Sequence, residues 1–427
     1  MKIAVVGSGI SGLAAALLLS RTHEVTLYEQ DARLGGHSNT VDVELDGVCH
    51  PVDTGFIVFN RRTYPNLCGL FAHLGVPVAD SDMSFGVSLR QPDLEWAGSS
   101  LATVFAQPAN LARPRFWGML QDILRFNSAV SERAARGTAE QLSLGEFLAR
   151  HRYGDAFRDW YLLPMAAAIW SCPTQTMMAY PLATFARFCH NHGLLQVSDR
   201  PQWMTVRGGS RVYVQAIADR LVDVRRACAV SAVRRMGQGV MVEAGGMAER
   251  HDQVVMACHS DQALALLGDH ATPAERRLLG AIRYQPNHAV LHTDVALLPR
   301  SRRVWSAWNY MAGEGAPDRR PVSVSYLMNS LQPLPFKRPV VVSLNPFIEP
   351  DPASVIARFD YAHPLFDGPA IDAQVRLPEI QGRERIWFCG AWTGYGFHED
   401  GLASAVRVAR HFGVNVPWQH SPEAVPA

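Results

Sequence analysis

Three glycines near the amino terminus have the spacing of a loop that binds a dinucleotide. Gly7, Gly9 and Gly12 form the pattern G-x-G-x-x-G between a short β-type run and a helical run rich in Leu and Ala. In such a loop the first glycine permits the tight turn, the second lets the backbone approach a pyrophosphate, and the third lets helix and strand pack closely. Glu29, 17 residues after Gly12, ends the next β-type run. Its carboxylate is expected to accept hydrogen bonds from a ribose diol, each worth roughly 1.5 to 3 kcal/mol.

A second glycine pair follows Glu29 in the segment Leu34-Gly35-Gly36-His37. This pair resembles the one that follows the βαβ unit in amine-oxidase-type flavoproteins, and a nicotinamide dehydrogenase has no need of it. The alternative is a plain glycine turn. We therefore expect FAD as the cofactor. Its attachment is expected to be non-covalent, because Cys389 belongs to a buried-looking strand. The sequence contains only one dinucleotide fingerprint, which argues against NAD(P)H as the reductant.

The segment from Trp387 to Leu402 reads as a strand, a glycine-rich loop and a helix. We expect Gly401 and Leu402 to stand at the helix N-terminus, which stabilises the negative charge that a flavin gains on reduction. His398 either contacts the flavin or faces the substrate, and the alternative is a loop residue with a satisfied partner. The residues predicted to bind the cofactor are Gly7, Ser8, Gly9, Ile10, Ser11, Gly12, Glu29, Gln30, Gly35, Gly36, His37, Ser38, Gly55, Phe56, Gly390, Asp400, Gly401 and Leu402. The predicted catalytic residues are His398, Trp308 and Tyr395.

The elements that position these residues follow an interrupted α/β pattern. Residues 2–6, 11–20 and 24–29 predict a βαβ unit, and a hairpin closes at Asp46-Gly47. Residues 100–200 read as mostly helical. Strand patterns return near 228–259, the β-rich runs between 285 and 347 predict one antiparallel sheet, and the chain ends with strand 386–389 and a helix from about 402 to 411.

Length and composition favour a two-domain enzyme. A chain of 427 residues exceeds the usual size of one core. We predict a discontinuous FAD-binding domain, 1–75, 200–270 and 375–427, and a substrate domain with a helical cap, 76–199 and 271–374. The balance of 40 basic against 39 acidic side chains gives no field for polyanions, which excludes nucleic acid as the expected partner.

The cysteines and the amino terminus bear on the cell compartment. Seven scattered cysteines without metal-ligand spacing fit reduced thiols, so no metal site is expected. There is no signal-peptide pattern and no span of about 20 apolar residues. We expect a cytoplasmic protein with peripheral contact at the inner face of the membrane as an option. That contact is expected at residues 112–117, which lead an amphipathic helix with aromatic and basic residues, and the alternative is an ordinary solvated face.

Motifs along nearly the whole chain resemble one family. They are Gly7 to Gly12, Leu34 to His37, Asp53 to Asn60, Thr63 to Asn66, Met83 to Phe85, Trp170 to Pro173, Arg200 to Trp203, Trp305 to Trp308 and Gly394 to Gly401. Together they are similar to predicted FAD-binding oxidoreductases of the flavin amine oxidase superfamily that resemble the N-terminal domain of plant cyclopropane-fatty-acid synthases. The resemblance implies an α/β fold in which a Rossmann-type FAD-binding domain is interleaved with a mixed substrate domain of sheet and helices, as in amine oxidases and phytoene desaturases. It also implies a lipid acyl substrate and a fatty-acyl methyl or methylene transferase partner.

Two departures bear on amine oxidation. Amine oxidases usually place a lysine near flavin N5, yet the only internal lysine is Lys337, in a proline-rich stretch. His398 stands where the aromatic cage of those enzymes has a tyrosine. The leading hypothesis is hydride transfer from an unsaturated or methyl-modified acyl chain to flavin N5. The alternatives are a flavin amine oxidase and a redox-silent, FAD-bound accessory protein of a lipid methyltransferase.

Each of three further sets of residues has two interpretations. His190-Asn191-His192 suggests a metal or acid-base site, or a helix end capped at Gly193. In the segment 207–210, one interpretation is that the two glycines let the backbone approach a cofactor or substrate. The other is that Ser210 is the N-cap of the following helix. Four aromatic side chains either line the bottom of an apolar pocket over the flavin or form the core of a sheet: Trp305, Trp308, Tyr310 and Tyr326.

Overall fold

The apolar runs that flank the glycine loop become neighbouring strands of a parallel sheet. The computed structural model describes residues 1–136, 142–170, 177–191, 200–316 and 320–419. The parallel sheet consists, in spatial order, of Asp223–Arg225, Glu24–Tyr28, Lys2–Val6, Gln253–Met256 and Ile386–Phe388. Its three central strands are almost wholly buried, as the continuous apolar runs predict. The strand order places the first and last segments of the chain in one sheet.

The first helix, Ile10–Leu19, has no polar face, and all ten of its residues are buried. It lies between the parallel sheet and the last helix, His398–His411. A side chain at Gly401 would come within 2.7 Å of the Ser11 hydroxyl, so the two helices approach closely only because Gly401 has no Cβ. The sequence placed the start of this last helix near Leu402, which is wrong by four residues. The helix begins at His398, and Phe397 is its N-cap.

A seven-stranded sheet forms the second layer. In spatial order its strands are Val355–Pro364, Tyr284–His292, Val341–Leu344, Val322–Leu327, Trp308–Ala312, Phe85–Leu89 and Leu94–Ala97. The β-rich runs between 285 and 347 all belong to it, as expected. The sheet is not purely antiparallel, however, because Phe85–Leu89 pairs in parallel with Trp308–Ala312. The short run 85–89 gave no separate signal in the sequence, and its pairing crosses more than 200 positions of chain.

Smaller sheets connect these layers. The predicted hairpin is present as Thr40–Leu45 and Val48–Asp53, and Asp46 and Gly47 both have positive φ at its turn. Val230–Arg235, Val240–Ala244 and Met247–His251 form an antiparallel meander. Trp203–Val206 lies between Phe59–Asn60 and Val78–Ser81.

Helices cover the layers and form a cap. In the described part of the chain the other α-helices are Pro65–Leu74, Leu101–Val104, Pro114–Arg136, Leu144–Arg150, Asp155–Phe157, Leu163–Trp170, Leu182–Asn191, Arg211–Ala218, Ser260–Leu267, Pro273–Gly280, Met328–Leu331 and Gly368–Arg376. Those between 101 and 191 have a core of their own around Phe126, Phe147, Phe157 and Phe185. Within the described ranges, no helix is both long enough and apolar enough to cross a bilayer.

The chain crosses between the two large sheets several times. Every strand of the parallel sheet lies within residues 2–28, 223–256 and 386–388, and every strand of the seven-stranded sheet lies within 85–97 and 284–364. This is the mixed α/β architecture that the sequence predicts, with a Rossmann-type sheet. The boundaries of the two predicted domains stay predictions.

Candidate functional site

One cavity of about 880 Å³ is lined by both large sheets and by the loops between them. Cavities of a few hundred to about 1,000 Å³ are typical of ligand sites. Sixteen of the predicted site residues line it: Gly7, Ser8, Gly9, Ile10, Ser11, Glu29, Gln30, Gly35, Gly36, His37, Gly55, Phe56, Trp308, Gly390, Tyr395 and His398. Five do not: Gly12, Ser38, Asp400, Gly401 and Leu402.

The glycine loop leaves space at one position and none at another. A Cβ at Gly9 would meet no protein atom within 4 Å, whereas a Cβ at Gly12 would lie 1.8 Å from the carbonyl oxygen of Gly7. Gly12 therefore serves the packing of helix on strand, and Gly9 leaves the cavity side of the loop open. Gly9 is also the N-cap of the first helix and has no side chain with which to cap it. The first N–H groups of the helix are thus available to an anion.

Glu29 ties the glycine loop to the second strand. Its Oε2 accepts hydrogen bonds from the Ser8 backbone N–H at 2.9 Å and from the Ser8 hydroxyl at 2.5 Å, and its Oε1 accepts one from the Asp31 N–H at 3.0 Å. The Ser8 hydroxyl in turn accepts the Gly35 N–H at 3.1 Å. Both glycine motifs are therefore joined through Ser8. Each Glu29 oxygen has more than one acceptor direction, so a ribose hydroxyl can still be bound there.

Arg33 holds the second glycine pair in its turn. Its guanidinium donates to the carbonyl oxygens of Leu34, Gly36 and Ser38 at 2.9 to 3.2 Å. Arg33 also lines the cavity, beside the glycine loop. Sequence reasoning missed this residue, although a basic side chain two positions before a glycine pair was visible.

His37 stands in the cavity with two further histidines that the sequence did not group with it. Its ring centroid lies 6.2 Å from that of His259, 5.3 Å from that of His363 and 5.0 Å from that of Tyr361. Burial, followed by the neighbouring histidines, holds the pKa of His37 well below its usual value. Burial also lowers the pKa of His363 to about 4 and lowers that of His259. All three imidazoles are therefore neutral at physiological pH.

His398 is fixed from two sides. Its Nε2 is 2.9 Å from the Ser38 hydroxyl and 3.1 Å from the Tyr213 hydroxyl, and Ser38 and Tyr213 also bond to each other. The imidazole stacks on Phe56 with centroids 3.7 Å apart. Burial lowers the pKa of His398 to about 3, so the ring is neutral. Ser38 thus acts on the cavity through His398, and Tyr213 is a site residue that sequence reasoning missed.

A buried carboxylate supports this region from behind. Asp53 accepts hydrogen bonds from the Thr40 hydroxyl, from the Ser210 N–H and hydroxyl, and from the Gln332 amide, at 2.6 to 3.0 Å. Burial raises the pKa of Asp53 to about 6 against the effect of these bonds. Ser210 stands at the N-cap position of its helix, but its hydroxyl caps no helical N–H and donates to Asp53 instead. Ser210 is therefore the N-cap residue of this helix by position, as one of the two interpretations has it, but its side chain makes no capping hydrogen bond.

The start of the last helix is arranged differently from the prediction. Asp400 accepts the Phe397 N–H at 3.0 Å, and burial raises the pKa of its carboxyl to about 6. Glu399 accepts from the N–H groups of Asn66 and Leu67, each at 3.0 Å. Because the helix begins at His398, Gly401 is in its first turn and packs against the first helix, and the residue of this helix that lines the cavity is His398.

The far end of the cavity is apolar and aromatic. Its lining includes Met83, Ile169, Trp308, Tyr326, Leu344 and Phe366. Trp308 and Tyr326 meet edge to face, with centroids 4.9 Å apart. Tyr395 also lines the cavity, and burial raises the pKa of its hydroxyl. Trp305 and Tyr310 do not line it, so they belong to the packing of the sheet.

Neither lysine of the chain reaches this cavity. Lys337 is in an exposed loop, and Lys2 pairs with Glu249 at 2.5 Å. The structure describes only the backbone of His190 and Asn191, and His192 lies outside the described residues, as do 171–173. Within the described part of the chain no group of His, Cys, Asp or Glu is arranged to hold a metal ion.

The residues of the cavity fit FAD. The open face of Gly9, the uncapped N–H groups after it and Glu29 suit a pyrophosphate and a ribose. The Nε2 of His37 is buried and has no hydrogen-bond partner among the described residues, which is costly without a ligand. The cavity continues from this polar end to the aromatic end, as a dinucleotide with a flavin ring requires.

Comparisons with known proteins agree with this geometry. The family model of flavin containing amine oxidoreductases matches residues 10–327. AofH of Mycobacterium tuberculosis, which is named as a flavin-containing monoamine oxidase, is 27% identical over 342 residues, covering 76% of this chain and 70% of that protein. The carotenoid phi-ring synthase of Streptomyces griseus is 29% identical over 284 residues, covering 60% and 52%.

Two solved structures have the same fold at low sequence identity. A fatty acid isomerase from P. acnes that produces CLA superposes with a TM-score of 0.69 at 16% identity, covering 96% of this chain and 98% of that one. Putrescine oxidase bound to putrescine gives 0.69 at 15% identity, covering 96% and 99%. At these identities the similarity shows the fold alone.

Proposed function

Because the chain belongs to the flavin containing amine oxidoreductase family and is an FAD-dependent oxidoreductase, we propose that it dehydrogenates an unsaturated or methyl-modified fatty-acyl chain. The reaction removes a hydride from one carbon and a proton from its neighbour and leaves a new C=C bond, and the proton is released to solvent. When bound, FAD supplies the two-electron acceptor, since flavin N5 takes a hydride and the electrons pass on to oxygen or a carrier.

The apolar end of the cavity is the observation that carries this proposal. The charged side chains of the lining are Glu29, Asp31 and Arg33, which lie near the glycine motifs, and Asp360, which is 88% exposed and pairs with His288. The aromatic and aliphatic residues at the other end offer no ionised partner among the described lining. A hydrocarbon chain is the substrate class that such a surface binds best, because its burial releases water without leaving a charge unpaired.

Two hydrogen-bond donors at this end, the side chains of Trp308 and Tyr326, can bind the carbonyl oxygen of an acyl chain. The indole N–H of Trp308 is buried and has no hydrogen-bond partner among the described residues. Tyr326 lines the same wall, 4.9 Å from Trp308 between ring centroids. An ester carbonyl oxygen placed there satisfies a donor that is otherwise costly to bury, and it brings no charge with it. Trp308 is therefore a substrate-binding residue in this proposal.

The names of two similar proteins are compatible with a lipid substrate. A fatty acid isomerase has this fold, and one relative is named as a carotenoid phi-ring synthase; both names are compatible with an apolar substrate. Amine oxidation is the second candidate, favoured by the identity to AofH. Against it stand the cavity without a lysine and the neutral His398 at the position where amine oxidases have a tyrosine.

The test is anaerobic mixing of the FAD-loaded protein with vesicles of unsaturated or methyl-branched phospholipid, and separately with amines, while the absorbance of oxidised flavin is recorded. We expect bleaching by lipid and, by mass spectrometry, a product that has lost two hydrogens. Trp308→Phe should weaken lipid-dependent bleaching about tenfold, which is the effect of one lost hydrogen bond of about 1.4 kcal/mol. Trp305→Phe is the matched control, because the Trp305 indole N–H donates to the Pro299 carbonyl outside the cavity.

Each other outcome names a different function. Bleaching by amines alone places amine oxidation first. Bleaching by neither, together with co-purification of a fatty-acyl methyl or methylene transferase, supports the accessory role.

A further inference from the structure

A group of exposed apolar side chains lies on the helical cap. Leu101, Leu111, Trp117 and Leu124 are 79%, 54%, 49% and 61% exposed, and all four fall within 24 residues of chain. We refer to these four residues as the cap patch. Single exposed apolar residues are ordinary in soluble proteins, but a contiguous group marks a contact surface.

Contacts between neighbours make the cap patch continuous. The Trp117 indole N–H donates to the Leu111 carbonyl at 2.9 Å, and the Trp117 ring contacts that of Phe105 in a tilted arrangement with centroids 5.2 Å apart. The Phe105 N–H bonds to the carbonyl of Leu101 at 3.1 Å, so Leu101 lies one turn away from it. Leu124 follows Trp117 by seven residues in the helix Pro114–Arg136, which places both on one face.

Positive charge accompanies the cap patch. Residues 101–124, which span the cap patch, contain Arg113, Arg115 and one acidic residue, Asp122, which pairs with Arg125 at 3.1 Å. Arg113 donates to neutral acceptors, the carbonyl of Asp93 at 2.8 Å and the side-chain oxygen of Asn110 at 3.1 Å. Arg115 lies 5.2 Å above the Trp160 ring. Neither arginine has a carboxylate partner in the described part of the chain, so both keep their full charge.

The two arginines also line a surface cleft of about 870 Å³ beside the cap patch. Arg320, only 7% exposed, contributes a third guanidinium to its lining. Among the described residues of the lining the one acid is Asp159, which pairs with Arg158 at 2.7 Å. A positively charged cleft next to exposed leucine and tryptophan has the composition of a surface that binds anionic lipid, in which a phosphate meets guanidinium groups while apolar side chains enter the acyl boundary.

We infer that the cap patch, with Arg113 and Arg115, docks this protein on the surface of an anionic lipid bilayer. This surface belongs to the cap and is argued from its own exposure and charge, so the inference stands whether or not the substrate is an acyl chain.

The test is co-sedimentation of the full-length, FAD-loaded protein with vesicles of phosphatidylcholine alone and of phosphatidylcholine mixed with phosphatidylglycerol, at low and high salt. We expect binding to the mixed vesicles, little binding to the neutral ones, and weaker binding at high salt. Arg115→Glu should lower the partition coefficient at least about tenfold, because each basic residue near the surface contributes roughly one factor of five. The double variant Leu111→Ser and Trp117→Ser should lose binding to the same extent.

Val375→Ser is the matched control. Val375 is 76% exposed but belongs to the helix Gly368–Arg376, away from the cap, so its replacement should leave binding unchanged. Flavin absorbance and circular dichroism of each variant show whether it is folded. Absence of binding to anionic vesicles, or equal binding by the folded double variant, overturns the inference. If the double variant instead lowers the mass in solution from dimer to monomer and vesicles are not bound, the occupant is a second copy of the chain.

Discussion

Replacing Gly9 with valine is expected to abolish FAD binding while the protein stays folded. A Cβ at Gly9 meets no protein atom within 4 Å, and the φ of −61° and ψ of 176° at this residue lie in the extended region that valine adopts. The free energy of unfolding of the apoprotein should therefore change by no more than about 0.5 kcal/mol. The added side chain instead fills the space through which the loop approaches a pyrophosphate.

The expected loss of FAD affinity is at least 100-fold. At an FAD concentration of 100 times the dissociation constant, the parent gains about 2.7 kcal/mol of stability from binding. A variant with a 100-fold higher dissociation constant gains only about 0.4 kcal/mol at the same concentration by the same relation. The assay is urea denaturation of the apoprotein with and without FAD, together with fluorescence titration of FAD. Gly9→Val should keep the parent's stability without FAD and lose the gain.

Gly12→Ala is the paired variant with the opposite signature. Its Cβ would lie 1.8 Å from the Gly7 carbonyl oxygen, so overpacking should cost the apoprotein about 1 to 3 kcal/mol. If Gly9→Val binds FAD with an affinity within threefold of the parent's, the glycine loop is not the pyrophosphate site. An unfolded Gly9→Val apoprotein would contradict the open space beside the loop.

Three further outcomes follow from the contacts of the cavity. Glu29→Ala should weaken FAD binding by tenfold or more, since bonds to a charged acceptor are worth roughly 1.5 to 3 kcal/mol, and unchanged binding in a fluorescence titration would remove Glu29 from the ribose site. His398→Ala should retain FAD but slow flavin reduction about tenfold or more, and Tyr213→Phe should do so by less, as stopped-flow traces would record. The pKa of Asp53 is raised from 3.8 to about 6, so the native state holds the Asp53 proton more tightly than the unfolded state does. The stability that this proton contributes is present below pH 4 and is lost as the pH rises to about 6. In denaturant titrations between these pH values, Asp53→Asn should reduce the dependence of the free energy of unfolding on pH by up to about 1.4 kcal/mol per pH unit.

The sequence predicts the glycine motifs, the parallel strands beside them and the hairpin because each depends on conformations that few residues adopt. Gly7, Gly35 and Gly36 all have positive φ, and Asp46 and Gly47 make the turn of the hairpin. These features are local, so spacing reveals them. Their neighbours in space are not local, and Tyr213 reaches His398 across 185 positions. Nothing in the pattern around Tyr213 distinguishes it from a core tyrosine.

The start of the last helix shows a second reason for error. Glycine at position 401 suggested the beginning of a helix, but it is required three residues into the helix by the close approach of Ser11. The same residue type meets a conformational need in one case and a packing need in the other. The sequence contains the glycine and not the reason for it, so only the packed structure shows that His398 comes first.

The charges of the cavity bear on the kind of substrate it can bind. Burial keeps the imidazoles of His37, His363 and His398 neutral, and both lysines lie elsewhere. A cation that entered the apolar end would leave water without gaining a carboxylate from any described residue, because the acids of the described lining lie near the glycine motifs or at the exposed Asp360. Desolvation therefore selects against a protonated amine and far less against an uncharged chain. An amine would have to enter in its neutral form, whereas an acyl chain meets no such requirement.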